Sequence, residues 1–417
     1  MNDLKRKNKI VFTGNFEEYA GYAYANRKFV KELYDRGWDM GVEMIPCNRE
    51  LPIEDLKFYY SLRNFANGRP SLYHFQDHKK NQNIVKVVFW LPMASIPKYK
   101  HNISYTMMES REASPDMIRI MNTFYDSVIV PTEYYKEAFI YSGLEIDCKV
   151  VPIGIDEIYN RKNIREDAKF NFKVFIKGKE TFVTDKKPDK KDDRFNFLSV
   201  SRWSYRKGFD CCIKAFLKEF KDDDGVTLIL AIRHSASSSE QRFKDAVEEG
   251  IRQLVEENGT EKSPPIYWIW EDIPFADMPS MYALGDVFVL CSRGEGESMP
   301  TLEASMMGLP SIIPLHTGFS DYATKRNCFP INIDSWIKYE DDPGWFPHVI
   351  PQFKGQYFSK FGDSVVEQVA AYMRDAKDHW IEAVVTNYRM VEDIKEKYSW
   401  KRCTDLMEER LLEIVSQ

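Results

Sequence analysis

The chain has no cysteine pair at CxxC spacing and no HExxH run among its seven histidines, which excludes the commonest dithiol and zinc-enzyme motifs. Its seven cysteines (Cys47, Cys148, Cys211, Cys212, Cys291, Cys328 and Cys403) are scattered, the usage of reduced, mostly buried thiols in the cytoplasm. No run approaches the roughly 18 apolar residues that a membrane-spanning helix needs. Residues 1–9 are too polar for a secretory leader. The expected location is therefore cytoplasmic, with peripheral contact at the inner face of a membrane left open. An excess of positive charge is also missing: 58 Lys and Arg stand against 64 Asp and Glu, for a net charge of −6. That balance does not indicate nucleic acid as a partner, although it leaves room for a local basic groove. Gly14 and Gly21 flank an early loop, but their spacing is not GxGxxG, so a dinucleotide site is weakly supported.

What the chain has is length and an ordinary globular composition: 417 residues, 43% hydrophobic and 29% charged, enough for two or three domains. Strand and helix patterns alternate. Strands are expected at residues 9–13, 39–45, 84–91, 102–107, 127–130 and 149–152. Helices are expected at 23–34, at 115–123 behind Ser114, and from Thr132 to about residue 141, with 51–82 a mixture of helix and loop. Residues 169–184 alternate polar and apolar around Lys177-Gly178-Lys179, a hairpin signal, and 185–194 is a charged linker. The rhythm then restarts, with strands at 197–201, 226–231 and 266–270 and helices at 209–220, 237–257 and 278–284. Residues 361–397 read as helical, and 401–415 as a final amphipathic helix. The reading is an α/β chain of two Rossmann-like halves. The first is 1–155, joined by the helix at 400–417. The second is 156–399, with an insertion at about 165–194.

The densest stretch runs from Arg293 to Pro310. A buried strand at 286–291 leads into a loop with Gly294 and Gly296, and Pro300 suits the first turn of a helix that Gly308 and Pro310 end. Such a junction gathers backbone N–H groups and the positive end of a helix dipole, which suits an anion. Glu295 and Glu303 lie on either side of the helix start. Glu303, expected in the first turn, suits a hydroxyl-rich group rather than phosphate. Upstream, a strand delivers Arg202 to its carboxyl end, with Lys207 five residues on. Two cations where open parallel sheets bind ligands match a diphosphate. The bland alternatives are solvated loops for both stretches, or a glycosidase acid/base pair for the glutamates. The helix start argues against the latter.

These elements together resemble glycosyltransferase family 4, retaining nucleotide-sugar enzymes of GT-B fold. The resemblance rests on Glu295 and Glu303 separated by seven residues, on Arg202…Lys207-Gly208, on Val130-Pro131-Thr132 and on Val151-Pro152-Ile153-Gly154-Ile155-Asp156. It is strongest over residues 195–320. It implies two Rossmann-like domains facing each other across a cleft, with the C-terminal helix crossing back to the first. It implies that Arg202 and Lys207 neutralise the donor diphosphate and that Glu303 holds the ribose. Glu295 would then contact the transferred sugar, and the backbone of Gly296, Glu297, Ser298, Met299, Pro300 and Thr301 would hold sugar and phosphate. Ile273 falls where such enzymes seat the base. No metal and no cofactor are implied. The acceptor, a glycan or lipid-linked molecule, would meet the first half near Gly14, Gly21, Tyr22 and Glu109. Tyr19 and Tyr24 are further aromatic candidates there, with helix packing as the alternative. Two departures stand out: Glu297 where the family has an apolar or aromatic residue, and Ser298 where it often has glycine. The expected activity is transfer of a hexose-type sugar from a UDP- or GDP-linked donor to a hydroxyl. A nucleotide-sugar epimerase, a DNA-base glycosyltransferase and a non-catalytic nucleotide-sugar-binding protein remain as alternatives.

Overall fold

The computed structural model describes residues 5, 7–18, 21–45, 51–62, 65–66, 69–70, 83–94, 99–186, 194–233, 240–340 and 354–416. Tyr19, Cys47, most of the charged stretch 185–194 and the start of the helix expected at 237–257 lie outside the described residues. The chain divides into two compact units. One comprises Met1–Met108, Glu112–Gly154 and Lys397–Gln417, the other Glu109–Arg111 and Ile155–Glu396.

The first unit is built on a six-stranded sheet, all of whose pairings are parallel. Its strands are β1 (Lys9–Gly14), β2 (Asp39–Met44), β3 (Ile84–Phe89), β4 (His101–Tyr105), β5 (Ser127–Val130) and β6 (Asp147–Val150), in the order β2-β1-β3-β4-β5-β6. Runs such as Ile10-Val11-Phe12 are fully buried, as expected of a parallel sheet covered on both faces. The helices are α1 (Gly21–Asp35), α2 (Ile53–Ser61), α3 (Pro115–Phe124) and α4 (Glu133–Tyr141). Ser114 and Thr132 cap the last two, accepting hydrogen bonds from the N–H groups of Met117 and Tyr135.

The second unit is built on an eight-stranded sheet. It contains β7 (Phe172–Phe175), β8 (Phe182–Thr184), β9 (Phe195–Arg202), β10 (Val226–Arg233), β11 (Ile266–Ile269), β12 (Val287–Val289), β13 (Ser311–Pro314) and β14 (Phe329–Ile331). The order is β8-β7-β11-β10-β9-β12-β13-β14. Its helices are α5 (Phe209–Glu219), α6 (Glu240–Asn258), α7 (Met278–Tyr282), α8 (Met299–Met306), α9 (Asp363–Asp378) and α10 (Trp380–Lys397). α5, α6 and α9 pack on one face through Phe216, Val247, Ile251, Val369 and Met373.

One expected element needs correction, the continuous helix over 361–397. It is broken at His379, whose φ of −122° and ψ of 44° end α9. The insertion expected at about 165–194 contains the predicted hairpin. That hairpin, turning at Gly178 with φ +69, pairs antiparallel with β11 and extends the main sheet. Gly21, at the far end of the early loop, opens α1 two residues before the helix start expected at residue 23.

The final helix, α11 (Trp400–Val415), is capped by Ser399. It belongs with the first unit for physical reasons. Trp400 stacks edge-on against Phe29, and a Cβ on Gly154 would lie 2.5 Å from its ring. Glu408 accepts from Trp38 Nε1 at 2.9 Å, and Arg36 Nη1 donates to Asp405 at 2.8 Å.

Candidate functional site

β9 has β10 on one side and β12 on the other. The crossovers from such a strand diverge, opening a crevice at the carboxyl ends of the strands. The loop after β9 carries Arg202, Arg206 and Lys207, and the loop after β12 carries residues 290–298.

Two devices lock these loops together. Gly208 has φ +70, and a Cβ there would lie 1.7 Å from the Cys291 carbonyl oxygen. Glycine is what lets the loops touch. Arg293 is only 1% exposed. Its guanidinium donates to both Asp210 carboxylate oxygens, at 2.9 and 2.7 Å, and to the Tyr205 carbonyl, while lying 3.7 Å from the centre of the Tyr205 ring. A bidentate pair of this kind fixes orientation as well as distance.

At the meeting point, Lys207 Nζ donates to both Glu295 oxygens, at 2.6 and 2.8 Å. Arg206 lies 3.4 Å from Glu295 and 3.5 Å from Glu109. Burial, reinforced by the nearby Arg206 charge, pulls Lys207 down to about 8, with Glu295 opposing the shift. Burial alone would raise Glu295, but Lys207 and then Arg206 outweigh it and hold that carboxyl below its ordinary range. His316, beside them, is pushed by burial down to about 3 and is neutral at physiological pH.

The backbone of the glutamate loop is held from behind. Glu295 N–H donates to Thr317 Oγ1 at 3.1 Å, and Gly318 N–H donates to the Glu295 carbonyl at 2.9 Å. A Cβ on Gly318 would lie 2.1 Å from the Gly296 carbonyl oxygen. Ser298 adopts φ +60, a left-handed conformation that costs a non-glycine residue roughly 1–2 kcal/mol. Its hydroxyl lies 2.9 Å from that of Thr301. Met299 begins α8 and Pro300 occupies its first turn. The expected backbone cradle is smaller than the full stretch 296–301: Pro300 has no N–H, and Thr301 N–H is spent on the Ser298 carbonyl at 3.0 Å. Glu303 is in the second turn, not the first, and accepts from the Tyr282 hydroxyl at 2.6 Å. Glu297 is 2% exposed, a buried carboxylate within the same loop.

Other expected residues fall in different places. Arg202 is exposed at the end of β9, while Arg206 takes the position against Glu295. Ile273 lines a small pocket with Val200, Ala231, Ile269, Met278 and Met281. Glu109, expected with the first half, groups with the second unit: Arg111 N–H donates to the Tyr357 carbonyl and Ser110 bonds Gln356. In the first unit, Gly14 ends β1 against Asn26. Tyr22 packs on Phe89 and Trp90 and donates to the Met107 carbonyl, and Tyr24 packs on Trp400. These contacts favour helix packing over ligand stacking for both tyrosines. Arg206, Asp210, Arg293, His316, Thr317 and Tyr282 were not marked by sequence reasoning. Arg206, adjacent to Lys207 in one loop, and Arg293, at the head of the glutamate stretch, carried a signal that could have found them. Among the described residues, no group of three or more His, Cys, Asp or Glu side chains is arranged to hold a metal ion. No described helix is long and apolar enough to cross a membrane.

Residues 194–334 match the family model Glycosyl transferases group 1. The matched span lies within the second unit and contains every residue of the Lys207–Glu295 cluster except Glu109. Mannosylfructose-phosphate synthase of Agrobacterium fabrum is 22% identical over 230 residues, which are 54% of this chain and 49% of that protein. The match thus spans about half the length of that relative. Among solved structures, Anabaena HepE in complex with UDP and glucose gives a TM-score of 0.64 at 14% identity, covering 97% of this chain and all of that one. Sucrose-phosphate synthase from Thermosynechococcus elongatus gives 0.62 at 12% identity, covering 98% and 99%. At such identities the likeness shows the fold, which is of the GT-B type with Rossmann-like α/β domains.

Proposed function

We propose that the chain is a retaining glycosyltransferase that moves a hexose-type sugar from a nucleoside-diphosphate donor to a hydroxyl acceptor on a glycan or glycolipid, with no metal. The observation that carries this reading is the paired Lys207 and Glu295 at the sheet's switch point, inside the span that matches the glycosyl transferases group 1 model. The donor diphosphate lies against Lys207, Arg206 and the exposed Arg202, before the start of α8. Glu303, already oriented by a hydroxyl from Tyr282, accepts from the ribose hydroxyls. Glu295 turns from Lys207 to the hydroxyls of the transferred sugar.

As the bond between anomeric carbon and phosphate oxygen breaks, negative charge grows on the diphosphate, and the cations stabilise it more than they stabilise the bound donor. The acceptor hydroxyl attacks from the face the diphosphate leaves and passes its proton to a departing phosphate oxygen, so the protein needs no dedicated base. The acceptor is assigned to the first unit.

Steady-state kinetics test the phosphate assignment. Arg202→Ala and Lys207→Ala should each lower kcat by about 10²–10³, the usual cost of one transition-state donor, with EDTA leaving wild-type turnover unchanged. Normal turnover in both variants, or a strict metal requirement, would overturn the mechanism.

A further inference from the structure

We infer that the outer face of α10 is a self-association surface, on which a second copy of this chain lays its own α10 antiparallel about a two-fold axis; this is independent of the glycosyl-transfer reading. The inner face of α10 is buried. The outer face carries Ile381, Val385 and Tyr388, which are 71%, 64% and 59% exposed. Their spacing of four and then three residues sets them within an arc of about 60°, a continuous stripe two turns long. Trp380 borders the stripe on one side, its indole N–H held on the Asp286 carbonyl at 3.2 Å. Single exposed apolar side chains are ordinary on a soluble surface, but a stripe in helix register is what a partner helix packs against.

The charges beside the stripe choose the partner. Glu382 and Arg389 lie on its other side, two turns apart and about 80–100° round from Ile381. Arg389 reaches no carboxylate among the described residues; its guanidinium donates to the Arg326 carbonyl at 3.4 Å. Glu382 sits near His379 but forms no salt bridge among the described residues. A two-fold axis across two antiparallel helices brings the same flank of each together, and every contact it makes is made twice. With the axis just past Val385, that residue lies beside the partner's Val385 and Ile381 lies beside the partner's Tyr388. The same register sets Glu382 beside the partner's Arg389. A parallel pairing would instead set Glu382 on Glu382 and Arg389 on Arg389. The pattern is self-complementary in the antiparallel sense alone.

Sedimentation equilibrium of the full chain tests this. The chain should dimerise with a midpoint of about 1–100 µM, because one helix face is smaller than the roughly 800 Å² per partner of a standard interface. Glu382→Arg and Arg389→Glu should each weaken dimerisation by about tenfold or more, since each sets like charges opposite one another. The double variant, and an equimolar mixture of the two single variants, should return the midpoint to the wild-type value. Val385→Asp should be monomeric throughout, with the Tm of the wild type because the position is exposed. A wild-type chain that stays monomeric over this range would overturn the proposal and leave the stripe to another occupant. A dimer whose midpoint none of these substitutions moves would overturn it as well. A double variant no better than the single ones would overturn the antiparallel pairing.

Discussion

At the scale of single residues, the site is defined by who holds Lys207. Its ammonium is bound to Glu295, a carboxylate that the mechanism needs elsewhere. A diphosphate must therefore exchange places with Glu295, and the same exchange releases Glu295 toward the sugar. Protonation follows from this geometry. In the free protein burial brings Lys207 down to about 8, so its charge is lost as pH rises through that value. A bound diphosphate stabilises the ammonium and keeps the proton on. Affinity should therefore be level below about pH 8 and fall by up to tenfold per pH unit above it, with proton uptake on binding in that range. Calorimetry in two buffers of different ionisation enthalpy measures that uptake. Zero uptake at pH 8.5–9 would show that Lys207 does not meet the phosphate.

At the scale of elements, the contact between the β9 and β12 loops holds the cations against the glutamates. Gly208 is its narrowest point. Gly208→Ala combines a left-handed backbone with a Cβ driven into the Cys291 carbonyl, and should cost about 3 kcal/mol or more. A urea titration reads this as a lowered midpoint; an unchanged midpoint would mean that the loops do not touch as described. Much of this level was legible in sequence. The strand at 286–291, the helix opened by Pro300 and the stop at Gly308 and Pro310 are local signals, and they correspond to β12, α8 and the turn before β13. The spacing of Glu295 and Glu303 carried the family likeness. What escaped were partners set by tertiary approach. Nothing local says that Arg293 bonds an aspartate 83 residues away, that Thr317 props the Glu295 N–H, or that Tyr282 meets Glu303. Tyr22 and Tyr24 show the complementary limit: an aromatic next to a glycine loop looks the same in sequence whether it meets a ligand or packs on rings such as Trp90 and Trp400.

At the scale of the whole molecule, the chain closes its first unit with its last helix. Cys403, Met407, Leu411 and Ile414 of α11 are at most 1% exposed. Burying side chains of this size contributes roughly 1.5–3 kcal/mol each, so removing the helix should cost the unit about 6 kcal/mol or more, comparable with the entire stability of many domains. A chain ending at residue 396 should show a lowered first melting transition by calorimetry, whereas full-length stability in the truncated chain would contradict the packing of α11. The hairpin at β7 and β8 was legible as a hairpin, but its place was not, because the partner that absorbs it, β11, lies far along the chain.

The central claim, that Lys207 is the diphosphate cation and Glu295 its displaced partner, is tested most directly by nucleotide titration of three proteins. Replacing Glu295 by Gln removes the internal competitor and should tighten nucleoside-diphosphate binding by about tenfold, the worth of one hydrogen bond between charged groups, while abolishing sugar transfer. Adding Lys207→Ala to Glu295→Gln leaves no buried charge unpaired between them and should weaken binding to below the wild-type level. Equal affinity in all three proteins would contradict the account.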